Sequence, residues 1–261
     1  MHELPSGTVT LLFTDIEGST ELLRRLGDRW PEAHALHRRV LRDALGAAGG
    51  REVDTQGDSF LFVFRRVREA AKAALDGQRG LAAADWPLGE GVRVRMSIHT
   101  GEPTLGEEGY LGLDVVRGAR LCAAAHGGQI VLSETARALL GDEPPDGARL
   151  VDLGEQRLKD LPRPERVWQL GGDEAFPPLR TDGQEPLRAF ARADELARQA
   201  QATRFELGER IKGEVFESLA QMGLPLEGAE VVRPSRAAGA LVAAAVVAVL
   251  VLVPLVWLLV R

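Results

Sequence analysis

The chain has 261 residues, a formal net charge of −6 and a sequence pI near 5.5. That length provides one or two domains with a real hydrophobic core, and the acidic balance argues against an electrostatic grip on a nucleic acid polymer. A single cysteine, Cys122, excludes a disulfide framework or a cysteine-rich zinc site within the chain, and the five histidines form no HExxH pattern.

Residues 1–170 alternate strand-like and helix-like patterns. The run "TVTLLFTDI" (8–16) reads as a strand rich in β-formers, and Ser19 or Thr20 is expected to cap a helix through "ELLRRL". Residues 29–47 carry Trp30, Ala33, Leu36, Val40, Leu41, Ala44 and Leu45 at helical spacing, ended by Gly49-Gly50. "REVDTQ" and "SFLFVF" then form two short β-like runs separated by Gly57-Asp58, a hairpin signal. A helical pattern over 66–84, a strand over "VRVRMSIHTGEP", a helix over "VVRGARLCAAAH" and a strand over "QIVLS" follow. The pair "ARLVDLGEQRL" and "ERVWQL" closes the region like a hairpin. The order β-α-α-β-β-α-β predicts an α+β fold on the ferredoxin-like, split βαβ plan, with helices on one face of a mostly antiparallel sheet.

Residues 171–236 begin with the linker "GGDEAFPPLRTDGQEP" and continue as a charged, Ala-rich helical pattern. Residues 237–260 contain no charge. At about 1.5 Å per residue such a run reaches across a hydrocarbon core of roughly 30 Å, so a single C-terminal transmembrane anchor is expected. The N-terminus has no basic, apolar leader pattern, so the body of the chain is expected on the cytoplasmic side, with Arg233 and Arg236 at the inner interface. Ala240, Ala244 and Ala248 lie at a spacing that permits close packing of membrane helices.

Two acidic residues stand where apolar strands end. Asp15 closes the first strand, and Asp58 sits at the tip of the hairpin expected beside it. Paired carboxylates suit hard divalent cations, which take oxygen ligands and accompany triphosphates. Gly18, Ser19 and Thr20 follow at once and open a helix, whose free N–H groups and dipole suit phosphate oxygens. The plainer reading, turn and cap residues, fits either aspartate taken alone.

At these residues the chain resembles a class III nucleotide cyclase, the adenylate/guanylate cyclase catalytic domain, over about residues 6–170. "FTDIEGST" is similar to that family's F-x-D-I-x-G-[FS]-T, and "QGDSFLFVF" to its Gly-Asp hairpin. "VRVRMSIHTGE" resembles R-x-G-I-H-T-G, and "GYLGLDVVRGARLCAAAHGGQIVLS" the dimer-arm and helix segment ending in A-A-R-L. "RLKDLPRPERVWQL" resembles the closing strand pair, in the wording of the actinobacterial-type branch. The resemblance implies two Mg²⁺ or Mn²⁺ ions held by Asp15, Asp58 and the Ile16 carbonyl, with Arg120 stabilising charge at the reacting phosphorus. It implies that Lys159 pairs with the triphosphate, beside the phosphate turn of Gly18, Ser19 and Thr20. It also implies a homodimer, because in the family the metal ligands and the arginine face each other across two subunits.

Three positions depart from the family pattern. Asp54 stands where adenylyl cyclases carry the lysine that contacts adenine, Gly109 where its partner aspartate stands, and Val116 where an asparagine holds the ribose. Thr55 and Gln56 are the adjacent polar residues. Two expectations follow. The first is a membrane-tethered homodimeric cyclase, ATP its default substrate and a non-adenine, even pyrimidine, nucleotide the variant. The second is a catalytically degenerate cyclase-homology module for nucleotide binding or dimerisation.

Overall fold

Strands form where β-branched, leucine and aromatic residues run together, and their two parities decide what covers each face. The structure is a computed structural model that describes residues 4–181 apart from Glu90, Glu107 and Glu108. The charged helical segment expected over 182–236 and the apolar segment expected over 237–260 lie outside the described residues. Among those described, no helix is long and apolar enough to cross a membrane.

The strands are β1 (Val9–Ile16), β2 (Arg51–Gln56), β3 (Ser59–Phe64), β4 (Val94–Gly101), β5 (Thr104–Gly106), β6 (Gly109–Leu111), β7 (Ile130–Ser133), β8 (Arg149–Gln156) and β9 (Glu165–Gly171). The helices are α1 (Ser19–Leu26), α2 (Trp30–Ala47), α3 (Val67–Ala83), α4 (Leu113–Ala124) and α5 (Glu134–Leu140). Seven strands make one sheet in the order β2-β3-β1-β4-β7-β9-β8, and β5 and β6 pair separately as a small hairpin. Every neighbouring pair in the large sheet is antiparallel except β4 and β7. The β2-β3-β1-β4 half is the split βαβ arrangement expected from the sequence, with β3 inserted beside β1.

The three helices of the β-α-α-β-β-α-β part share one face as expected, and α4, which follows that part, covers the other. Leu12 and Ile16 of β1, Phe60, Phe62 and Phe64 of β3, and Met96 and Ile98 of β4 pack with α1, α2, α3 and α5. The opposite parity, Val9, Leu11 and Phe13 with Leu61 and Val63, packs against Val115, Ala119 and Cys122 of α4. All eight residues of β1 are buried, so that strand needs cover on both sides. The α4 sequence permits the approach: a Cβ on Gly118 would stand 2.3 Å from the Phe13 ring. The Gly118 carbonyl there accepts a 2.7 Å hydrogen bond from Ser97 Oγ of β4. Two elements absent from the sequence reading, α5 and the β5–β6 hairpin, are both short.

Candidate active site

Strand parity explains where the polar residues gather. Asp15, Ser59, Arg95, Ser97 and His99 share the face of the sheet that carries α4, interleaved with core residues on the other face. Asp15 is opposite Arg95 in the β1–β4 register. Its Oδ2 accepts from Arg95 Nε at 2.9 Å and Nη2 at 2.6 Å, while Oδ1 accepts from Ser59 Oγ at 2.5 Å. Arg95 is itself steadied by donating to the Ala123 carbonyl of α4 at 2.9 Å.

Asp58 follows Gly57, whose φ of 60° makes the left-handed bend between β2 and β3. Its charge reaches Asp15: burial, opposed by Arg95 and Ser59 and reinforced by Asp58, holds the Asp15 carboxyl above the usual carboxylate range. Asp58 Oδ2 is buried with no hydrogen-bond partner. A buried carboxylate oxygen without a donor, beside a second buried carboxylate, is unfavourable unless a cation joins them. The donor set is all oxygen, which suits Mg²⁺ or Mn²⁺. Among the described residues no cluster of three or more His, Cys, Asp or Glu side chains could hold an ion, so Asp15 and Asp58 stand as a pair. The hairpin bend has outside support, since His34 Nε2 lies 3.0 Å from the Gly57 carbonyl.

The turn after β1 differs from the expected cap. Helix α1 already includes Ser19 and Thr20, and Gly18, at φ 65°, is its N-cap residue with no side-chain capping bond. The first intrahelical bonds run from Glu21 and Leu22 to the Gly18 carbonyl, so the amides of Ser19 and Thr20 stand ahead of the helical ladder. A left-handed Gly18 thus opens the helix three residues after Asp15, and the amides at a helix start are the groups that receive an anion. Ile16 is the last residue of β1 and sends its side chain into the core.

Arg120 lies on α4 and is 3% exposed. Its Nη2 pairs with the Asp160 carboxylate, and Asp160 follows the exposed Lys159 in a left-handed backbone of φ 63°. One ion pair thus ties Arg120 to the loop that carries Lys159. On the base side, Asp54 is half-buried, and Thr55 donates to Glu52, which also receives both ends of Arg42 at 2.7 Å. Gly109 has φ 123°, a region that disfavours the aspartate of the family pattern, and a Cβ there would lie 3.2 Å from Val53. Val116 is 4% exposed and part of the core side of α4.

Several participants escaped the sequence reading. Arg95 and Ser59 hold Asp15; Ser59 lies two residues before the same-parity core residue Leu61, which was the available signal, whereas Arg95 has Arg93 and Ser97 at those places. Glu17 does not join the carboxylate pair: it bonds Arg180, far away in sequence. A serine–histidine–aspartate line also exists, with His99 Nδ1 2.8 Å from Ser133 Oγ and Nε2 3.1 Å from Asp114 Oδ1. Ser133 is fully buried and caps α5 through Ala136 N, so this line joins β4, α4 and α5 rather than exposing a nucleophile. Burial pushes the Cys122 thiol up, which keeps it an inert core residue.

Comparison with known proteins identifies the family. The family model for the adenylate and guanylate cyclase catalytic domain matches residues 1–171. An uncharacterized Mycobacterium tuberculosis protein is 42% identical over 187 residues, covering 70% of this chain and 63% of its own length. A receptor-type adenylate cyclase of Trypanosoma brucei brucei is 30% identical over 223 residues, covering 68% of this chain and 18% of its own. The chain therefore spans less than two thirds of the length of these relatives. A solved Trypanosoma brucei adenylate cyclase in its monomeric state superposes with TM-score 0.63 at 30% identity, over 69% of this chain and 97% of that one. An adenylate/guanylate cyclase/hydrolase from Silicibacter pomeroyi gives TM-score 0.55 at 29% identity, over 64% and 98%. The family match over residues 1–171 and the shared fold together make this chain a member of the class III adenylate and guanylate cyclase catalytic-domain family.

Proposed function

We propose that the protein is a membrane-tethered, homodimeric nucleotide cyclase that converts a nucleoside triphosphate, by default ATP, to a 3′,5′-cyclic monophosphate and pyrophosphate. The observation that carries the reading is the Asp15–Asp58 pair with the partnerless Asp58 Oδ2, followed in the chain by the helix start at Gly18. In the reaction the ribose 3′-oxygen bonds to the α-phosphorus, the bond to pyrophosphate breaks, and the hydroxyl proton leaves. Asp15, Asp58 and the Ile16 carbonyl would hold two Mg²⁺ or Mn²⁺ ions, which when bound supply Lewis acidity and neutralise charge. The amides of Ser19 and Thr20, with Gly18, receive phosphate oxygens, and Lys159 adds a cation on an exposed loop. Arg95 opposes the carboxylate charge at Asp15, and Arg120, held by Asp160, is the cation for the phosphorus. The family arrangement brings Arg120 from the partner subunit, which is why a homodimer belongs to the proposal. The apolar segment 237–260 supports a membrane tether with the catalytic part in the cytoplasm.

A second reading, a degenerate module that binds nucleotide or dimerises without turnover, is favoured by Val116 and by the Gly109 backbone, which leave the base and ribose half without the family's polar groups. Asp54 offers a hydrogen-bond acceptor where adenine N1, also an acceptor, would lie, so the base is left open. The test supplies ATP, GTP, CTP and UTP separately with Mn²⁺ and identifies products by mass spectrometry. A cyclic monophosphate lost in Asp15→Ala and Asp58→Ala supports the cyclase and names its base. Binding of a triphosphate without any product selects the second reading.

A further inference from the structure

The segment after β9, residues 172–181, lies beyond the family match yet returns to the site. Gln169 Nε2 donates to the Glu174 carbonyl at 3.0 Å, and His126 Nε2 lies 3.0 Å from the Pro178 carbonyl. Leu179 is buried with Leu121, Ala124 and Ala125 at the end of α4. Arg180 N donates to the Ala124 carbonyl at 2.9 Å, and its guanidinium pairs with the Glu17 carboxylate. Glu17 is fixed from two further sides. His126 Nδ1 is 3.9 Å from it, and Gly127 approaches so closely that a Cβ there would stand 2.7 Å from Glu17 Oε2.

Glu17 sits between Asp15 and Gly18, in the turn read above as the phosphate receiver. Alone, its carboxylate would repel a triphosphate from that turn. Its partner cation is supplied by a segment that also grips the end of α4, the helix of Arg120. We propose that Arg180 is a positioning residue for the phosphate turn: it neutralises Glu17 and ties residues 15–20 to the strap 172–181. The inference rests on the phosphate reading of the turn. It makes the strap part of the working catalytic unit.

The test uses the full chain, its Arg180→Glu variant and the charge-swapped double variant Glu17→Arg/Arg180→Glu. Amide hydrogen exchange reads the turn, and binding of inorganic triphosphate with Mg²⁺ reads its electrostatics; neither needs turnover. In Arg180→Glu, exchange over residues 15–22 speeds about tenfold while α2 is unchanged, and triphosphate binding weakens roughly tenfold, about 1.4 kcal/mol. The double variant returns both to within about threefold of the original. Unchanged exchange over 15–22, binding within twofold, or a swap no better than the single variant overturns the proposal. A parent chain that binds no triphosphate overturns the reading of the turn and this proposal with it. A parent that binds but makes no cyclic product overturns only the cyclase reading and leaves both readouts decisive here.

Discussion

Asp58→Asn is the sharpest perturbation of the carboxylate pair. The Asp58 Oδ2 is buried without a donor, and its charge pushes up the proton affinity of Asp15. A buried acceptor left unpaired costs about 1–3 kcal/mol, and like charges in one site add to that. Asparagine keeps the shape and removes the charge, so the metal-free protein gains about 1–2 kcal/mol. For a domain of this size that is a rise of roughly 2–8 °C in Tm with EDTA present. Divalent metal reverses the order. The parent protein, at a metal concentration about 100 times Kd, gains about 2.7 kcal/mol that the variant lacks. Thermal denaturation of both chains in EDTA and across a Mn²⁺ titration reads the crossing directly. A variant that melts lower in EDTA, or that gains as much from Mn²⁺ as the parent, refutes the argument that the pair is built around a cation.

Three further outcomes follow from named groups. Metal requires ionised Asp15, whose folded pKa burial has raised, so Mn²⁺ affinity climbs as pH rises through that raised value. Metal-free stability has the opposite sign: the Asp15 contribution is present below the ordinary carboxylate value and is lost as pH rises through the raised one. Arg95→Met removes a lowering influence and moves both curves to higher pH; Mn²⁺ titrations and melts in EDTA at a series of pH values check this, and unmoved curves contradict it. His37, buried in α2 with neither ring nitrogen partnered, is pushed down from 6.5 to about 3 by burial, with His34 and Arg38 adding to it. Its folded pKa is depressed, so its stability is present above about 6.5 and lost as pH falls toward 3; His37→Leu flattens acid unfolding in that window, by roughly a few kcal/mol, and an unchanged acid melt refutes it. If the proposed homodimer forms, Asp58→Asn and Arg120→Ala are each inactive alone, and mixing them regenerates up to about a quarter of the parent activity, one intact composite site among random dimers. A mixture as silent as its components counts against a shared site.

The sheet was legible because β1 and β3 are apolar runs and the β2–β3 hairpin carries Gly57-Asp58 at the bend. The placement of α4 was not, although the clue existed: β1 is apolar on both parities, and a strand buried on both faces needs two covers. Asp15 and Asp58 were legible as polar interruptions at strand ends. Arg95 was hidden in plain alternation, because its meaning depends on which strand lies opposite, and register is a tertiary property. The Ser19 or Thr20 cap misread the turn because Gly18, in a left-handed backbone, already provides the cap. Glu17 illustrates the limit best. Its partner Arg180 is 163 residues away, and no local pattern announces such a pair.

On the proposed function, these carboxylates and this turn serve cyclisation rather than hydrolysis. The direct measurement is turnover of the preferred triphosphate with Mn²⁺ in ¹⁸O-labelled water, followed by mass analysis of both products. Cyclisation predicts cyclic monophosphate and pyrophosphate in equal amounts, neither carrying label from the reaction step, with both absent in Asp15→Ala and Asp58→Ala. Labelled linear monophosphate, or diphosphate with labelled phosphate, would contradict the account, because water would then be the nucleophile in place of the ribose hydroxyl.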